Sequence, residues 1–85
     1  MSDSQVLMDN LDKLHTTEMG VARTKRNLGI TADDVVAWCR DKIEKADEIT
    51  RKGKNWYVTA GTTVITVNAH SFTIITAHRR ETKYE

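Results

Sequence analysis

Three histidines, His15, His70 and His78, are the residues of this 85-residue chain best suited to proton transfer. Histidine is the side chain whose ordinary pKa, about 6.5, lets it give and take protons near neutral pH. Cleavage of RNA without a metal ion needs a base for the 2′-hydroxyl, an acid for the leaving oxygen, and cations that stabilise the phosphorane charge. The sequence contains residue types that could supply this chemistry.

The surroundings of the three histidines differ. His78 ends a predicted strand and is followed directly by Arg79 and Arg80, which place a titratable group beside two fixed cations. His15 lies at the junction of two predicted helices, where it could equally cap a helix or form an ordinary hydrogen bond. His70 falls in a predicted turn, and we interpret it as solvated. We therefore predict His78 and His15 as the proton-transfer residues.

Cationic and polar side chains could hold RNA beside these histidines. The formal net charge is only +1, so the basic residues form a phosphate-binding patch only if the fold gathers them. They occur in three short groups, namely Arg23, Lys25 and Arg26; Arg51, Lys52 and Lys54; and Arg79, Arg80 and Lys83. On an open sheet face, Tyr57, Asn55 and Asn68 would suit base stacking and hydrogen bonds to base edges. High β-propensity and the need for solubility favour the same side chains on an exposed strand face. A sheet face that binds no ligand therefore stays an alternative interpretation.

Other kinds of chemistry lose support from the sequence. It has no Gly-rich nucleotide fingerprint, no Gly-flanked nucleophilic serine and no histidine pair at metal-binding spacing, so we expect no metal and no cofactor. Cys39 lies on an apolar helical stripe, and we interpret it as a buried structural thiol. No apolar run is long enough to span a bilayer, and the first residues lack a signal-peptide pattern. We expect a cytoplasmic protein that does not bind a membrane.

Helices are predicted for the first half of the chain. Apolar spacing predicts a first helix over residues 4–14 and a third, the clearest, over residues 32–46 that is capped by Thr31. A second helix is expected to begin after a cap at Thr16 or Thr17 and to end at Gly29, which can adopt the left-handed conformation of a helix end.

Strands are predicted for the second half, because the apolar period changes there from helical to alternating. We place them at 48–52, 55–60, 63–69 and 72–78, with tight turns at 53–54, 61–62 and 70–71. The register then buries one face, formed by Trp56, Val58, Ile65, Val67, Phe72 and Ile74. The other face carries Asn55, Tyr57, Thr59, Val64, Thr66, Asn68, Thr73 and Ile75. The expected fold is one α+β domain over residues 1–85, with N-terminal helices packed on one face of a four-stranded antiparallel sheet.

Several stretches resemble a small bacterial family classed as a domain of unknown function. They are His15–Gly20, Arg26–Gly29, RKGKNWYV at 51–58 and ITVNAHSFTIITAH at 65–78. The likeness covers nearly the whole chain and implies a bacterial or phage origin, but it supplies no activity.

The end of the chain, Ile74–Glu81, is similar to the last strand of the barnase–EndoU–colicin–RelE-like ribonuclease group. This resemblance implies a site with Thr76, His78 and Arg79, and phosphate contacts at Arg51 and Lys52. The predicted register, however, puts Thr76 and His78 on the helix-covered side of the sheet. An open-face site would therefore need a twist or bulge in the last strand.

These observations lead to a functional hypothesis with two alternatives. The leading one is an RNA-directed protein, in its sharpest form a metal-independent endoribonuclease of toxin type. The predicted site residues are His78, His15 and Thr76 for catalysis, and Arg51, Lys52, Lys54, Tyr57, Asn68 and Arg79 for nucleic-acid binding. The first alternative is a non-catalytic module, carried by a mobile element, that binds or inhibits a protein or nucleic acid. The second is a structural partner that associates through an apolar patch around Val64 and Ile75.

Overall fold

The computed structural model describes residues 3–30 and 34–79. Its helices are α1 (Asp3–Asp9), a 3₁₀ turn (Leu11–Lys13), α2 (Glu18–Leu28) and α3 (Val35–Glu44); its strands are β1 (Glu48–Lys52), β2 (Asn55–Ala60), β3 (Thr63–Asn68) and β4 (Ile74–Arg79). The strands form one antiparallel sheet in the order β1-β2-β3-β4. The predicted α+β class is confirmed. None of the helices in the described ranges is long and apolar enough to cross a membrane.

Local signals in the sequence account for both ends of α2. The Thr17 hydroxyl accepts a hydrogen bond from the Gly20 amide at 3.0 Å, and Gly29 has the left-handed φ of 65°. Gly20 lies inside the helix, where glycine is normally unfavourable. A Cβ at this position would meet the hydroxyl of Thr16, which donates to the Ile74 carbonyl at 2.9 Å. Glycine therefore lets α2 begin close to a residue that is anchored on β4.

The first and third helices are shorter than predicted. α1 ends at Asp9, and a 3₁₀ turn covers part of the remaining predicted span. α3 begins at Val35, because Asp34 caps it by accepting a hydrogen bond from the Ala37 amide at 3.0 Å. The predicted cap, Thr31, lies outside the described residues. An aspartate at the cap also suits the positive end of the helix dipole.

The core lies between the helices and one face of the sheet. The sheet contributes Trp56, Val58, Ile65, Val67, Ile74 and Ala77, and the helical half contributes Leu7, Leu11, Leu14, Leu28, Val35, Cys39 and Ile43. Phe72, predicted for the same face, packs half-buried against this core. The helices of residues 3–30 and 34–79 occupy one side of the sheet, and we call the other side, which none of them covers, the open face.

A bulge at Ile75 changes the faces of β4. Val67 pairs with Ile74, but Thr66 pairs with Thr76, so one extra residue is inserted between them. Beyond the bulge Ala77 is buried, whereas His78 is exposed. The prediction that Thr76 and His78 lie on the helix-covered side was therefore wrong. An inserted residue inverts the alternation, and the two-residue period of the sequence does not reveal it.

Candidate nucleic-acid interface

Basic residues from three segments meet at one end of the sheet. The β1–β2 turn and the β3–β4 loop are adjacent there, joined by a hydrogen bond from the Ala69 amide to the Lys54 carbonyl at 2.7 Å. The segment before α2 adds a short bridge, in which His15 pairs with Thr73. We call this region the basic end, and its members are Lys13, His15, Arg51, Lys52, Lys54 and His70. The fold thus gathers one of the three predicted basic groups with Lys13 and two histidines from elsewhere in the chain.

Two cations of the basic end lie against an aromatic pair. The rings of Trp56 and Phe72 have centroids 5.6 Å apart. The Arg51 guanidinium lies 5.5 Å from the Trp56 ring, and Lys13 Nζ lies 5.8 Å from the Phe72 ring. Such contacts stabilise a cation by roughly 0.5–1 kcal/mol at exposed sites. Each ring of the aromatic pair therefore lies against one positively charged side chain.

The charge of the basic end is not neutralised by acidic side chains. Within residues 3–30 and 34–79 the ion pair that forms joins Lys45 to Asp41, near the end of α3, at 3.3 Å. Lys13, Lys52 and Lys54 are exposed and have no carboxylate partner in this part of the chain. Unpaired cations concentrated on one surface attract an anionic ligand and raise its association rate.

The loop between β3 and β4 is held by the side chain of Asn68. Its Oδ1 accepts hydrogen bonds from the His70 amide at 2.9 Å, the Ser71 amide at 3.0 Å and the Ser71 hydroxyl at 3.2 Å. Phe72 follows in the left-handed region, with a φ of 57° that is uncommon for a large side chain. The predicted two-residue turn is therefore a longer, internally bonded loop. Asn68 Oδ1, predicted to contact a base, is used to shape it.

Replacing Asn68 with alanine should destabilise the protein by about 0.5–1.5 kcal/mol, because the loop loses its hydrogen bonds to Oδ1 and water replaces them only in part at these exposed donors. Asn68→Asp is the matched control, since its carboxylate keeps an acceptor in the same position. Urea unfolding of both variants measures the effect. Equal destabilisation by alanine and aspartate would show that the Oδ1 hydrogen bonds do not hold the loop.

His15 is oriented by a hydrogen bond on each ring nitrogen. Nδ1 lies 3.0 Å from the Lys13 carbonyl, and Nε2 lies 3.0 Å from the Thr73 hydroxyl. A carbonyl only accepts, so in the neutral ring Nδ1 carries the hydrogen and Nε2 accepts from Thr73. The Thr73 hydroxyl is also 2.6 Å from that of Ser71. An exposed imidazole whose Nε2 lone pair faces a hydroxyl has the geometry of a general base.

The two predicted proton-transfer residues lie at opposite ends of β4. His15 contacts Thr73 just before the strand, whereas His78 is near its end, about 15 Å away at ~3.3 Å per residue. His70 lies in the same loop as Thr73, the residue that His15 contacts. His70 is exposed in a turn, as the sequence predicted, whereas the contact between His15 and Thr73 was not predicted.

The remaining predicted residues are divided between the open face and the far end of the sheet. The register aligns Thr50, Tyr57, Thr66 and Thr76 in one row across the open face. Arg79 is on the helix side at the far end, where its guanidinium donates to the Leu28 carbonyl at 3.2 Å. Arg23, Lys25 and Arg26 lie on α2, away from the basic end. Arg80 and Lys83 lie outside the described residues.

The open face is polar at its centre, and the row next to Tyr57 on the side away from the basic end carries Glu48, whose Oε2 accepts a hydrogen bond from the Thr50 hydroxyl at 3.4 Å. Tyr57 is 37% exposed there and is flanked by Thr50 and Thr66 on the neighbouring strands. Lys52 and Asn55 form the next row toward the basic end, about 7 Å from Tyr57 at two residues along a strand. An exposed aromatic ring therefore adjoins a cation. In the ranges 3–30 and 34–79, no group of three His, Cys, Asp or Glu side chains is placed to hold a metal ion.

Comparison with known families shows a match over residues 8–78 to the family described as "Protein of unknown function (DUF3781)". The matched region runs from the end of α1 to His78 and includes every residue of the basic end. This confirms the resemblance to a family without a known function. Comparison with curated proteins and with solved structures gives no match. The likeness to the ribonuclease group stays a prediction.

Proposed function

Since this chain belongs to the DUF3781 family, whose description names no activity, we propose a function from its own residues. The protein binds single-stranded RNA, with phosphates at the basic end and a base against the open face. The observation that carries this proposal is the gathering of Lys13, Lys52 and Lys54 without carboxylate partners among the described residues. Phosphate contacts of this kind supply most of the affinity of sequence-independent nucleic-acid binding.

Single-stranded RNA fits this surface better than a duplex does. Stacking on an aromatic ring needs an unpaired base, and Tyr57 presents its ring on a sheet face without a covering helix. Lys52 lies in the adjoining row, within reach of the phosphate of the same or the next nucleotide. Thr50 beside Tyr57 and Thr76 at the end of the same row are half-buried, so their hydroxyls can contact base edges and the ribose 2′-hydroxyl, whereas Thr66 is buried.

The test of RNA binding is a triple variant, Arg51→Gln, Lys52→Gln and Lys54→Gln, measured by anisotropy with labelled RNA of about 12 nucleotides. Each phosphate contact to a single strand contributes a salt slope of about 0.7, so three lost contacts lower affinity about 100-fold at 0.1 M salt. The slope of log affinity against log salt should become shallower by about 2. Thermal unfolding checks that the variant is folded.

The matched control removes the same charge from α2, with Arg23→Gln, Lys25→Gln and Arg26→Gln. This variant should bind RNA nearly as the unaltered protein does, because these residues lie away from the basic end. Equal loss in both triple variants, or an unchanged salt slope, would contradict the proposal. Either result would favour the alternative of a non-catalytic module that binds a protein through its open face.

A second candidate function, metal-independent RNA cleavage, is favoured by the orientation of His15. In this reaction Nε2 of His15 takes the proton of a 2′-hydroxyl that replaces Thr73 Oγ1 as its partner. The 2′-oxygen attacks the adjacent phosphorus, and protonated His70 gives a proton to the departing 5′-oxygen. The products are a 2′,3′-cyclic phosphate and a 5′-hydroxyl end, while Lys52, Lys54 and Arg51 stabilise the charge on the phosphorus oxygens.

A further inference from the structure

A cavity of about 220 Å³ lies at the end of the sheet opposite to the basic end. It is bounded by the end of α2, one side of α3, the β2–β3 turn and the end of β4. Its lining includes Leu28, Trp38, Lys42, Thr62, Thr63 and Arg79. None of them belongs to the basic end, so this cavity is separate from the proposed RNA site.

The cavity combines apolar side chains, two threonines and two cations. Leu28 is 2% exposed and Thr63 is 8% exposed, so both belong to its buried part. Lys42 lies one helical turn after Trp38, and its Nζ is 5.3 Å from the Trp38 ring. Arg79 donates one guanidinium N–H to the Leu28 carbonyl at 3.2 Å, which fixes the group and leaves further donors.

The lining residues that lie in the described parts of the chain include no carboxylate. Asp47 lies near the β2–β3 turn, where its Oδ2 accepts a hydrogen bond from the Gly61 amide at 2.8 Å. Lys42 and Arg79 have no ion-pair partner within the described parts of the chain. Two positive charges therefore adjoin an indole ring and a buried leucine, without an opposing charge among the described residues of the lining.

We infer that this cavity binds a small aromatic carboxylate. The ring of the ligand would pack against Trp38 and Leu28, and its carboxylate would bind Arg79, with Lys42 as the second cation. Arginine matches a carboxylate with parallel hydrogen bonds, which makes it the usual residue for this group. A cavity of about 150 Å³ holds benzene in another protein, so 220 Å³ accommodates one ring with a carboxylate.

The experiment is a titration of the ¹⁵N-labelled protein with sodium benzoate at constant ionic strength, followed by NMR. Benzamide serves as the matched probe, because it has the same shape without the charge. We expect saturable shifts of the Thr62 and Thr63 amides and of the Trp38 indole N–H with benzoate. Benzamide should bind at least tenfold more weakly, because it loses a charge-assisted interaction with Arg79.

Arg79→Gln and Lys42→Gln should each weaken benzoate binding about tenfold. Lys45→Gln removes the same charge near the same helix, but outside the cavity, and should leave benzoate affinity unchanged. The spectra themselves report whether each variant is folded. Equal binding of benzamide, equal weakening by Lys45→Gln, or shifts that do not saturate at the cavity residues would each overturn the inference. RNA affinity is a separate measurement, and Lys42→Gln should not change it.

Discussion

Replacing His15 with alanine is expected to lower metal-independent RNA cleavage by about 10²- to 10⁴-fold, the usual contribution of a positioned general base. Alanine removes the Nε2 atom that faces the Thr73 hydroxyl at 3.0 Å and has no other proton acceptor to offer. His70→Ala should cause a loss of similar size, because it removes the residue that we propose as the acid for the 5′-oxygen. Single-turnover cleavage of labelled RNA in EDTA measures both effects, with RNA binding measured separately.

His78→Ala is the control for this prediction. It removes a histidine of the same strand region, but one that lies about 15 Å from His15 along β4. Cleavage should therefore persist in this variant. Loss of cleavage in His78→Ala with retention in His15→Ala would contradict the assignment. If the folded protein cleaves no RNA while it still binds, the catalytic candidate fails and RNA binding stands without it.

The parts of the fold that could be predicted from the sequence are those fixed by neighbouring residues. The left-handed residues at Gly29, Gly53 and Gly61 have φ values of 65°, 58° and 63°, at the helix end and the turns where glycine was expected. The cap at Thr17 was predicted as one of two possibilities. Strand periodicity likewise predicted that Trp56 and Val58 lie on the buried face. In each case the residues that determine the structure lie within a few positions of the residue whose conformation or burial they predict.

The features that sequence reasoning missed depend on residues distant in the chain. The bulge at Ile75 is defined by pairing with β3, and nothing in the alternation of β4 marks an extra residue. The placement of Lys13 over Phe72 joins residues far apart in sequence. No local pattern could have added Lys13 to the basic end.

The residues of the candidate site also divide into those predicted from neighbouring residues and those that depend on distant parts of the chain. Arg51, Lys52 and Lys54 are neighbours in sequence, so their grouping followed from the sequence once β1 and β2 were predicted. The place of His15 beside this loop did not follow, because it depends on the bridge between His15 and Thr73. A search for polar residues in a predicted loop would have drawn attention to His70, but not to His15, which contacts the same loop from a distant part of the chain.

Cys39 makes folding stability depend on pH in the alkaline range. Burial in the core raises the pKa of its thiol from 9.0 to about 12, because the thiolate is poorly solvated there. Between these values the unfolded chain releases the proton and the folded chain keeps it, so the unfolded state binds fewer protons. Stability from this residue is therefore complete below pH 9 and is lost as the pH rises toward about 12.

The expected loss is up to about 1.4 kcal/mol per pH unit within that window, or about 2 kcal/mol between pH 8 and pH 10.5. Urea unfolding at a series of pH values measures it, with Cys39→Ala as the control. Cys39→Ala is expected to be less stable at pH 7, because the shorter side chain leaves a small cavity in the core. Since it has no thiol, its free energy of unfolding should not show this loss as the pH rises. Other groups titrate equally in both proteins, so the difference between the two curves isolates Cys39. Parallel curves up to pH 10.5 would show that the thiol ionises in the folded core as readily as in the unfolded chain.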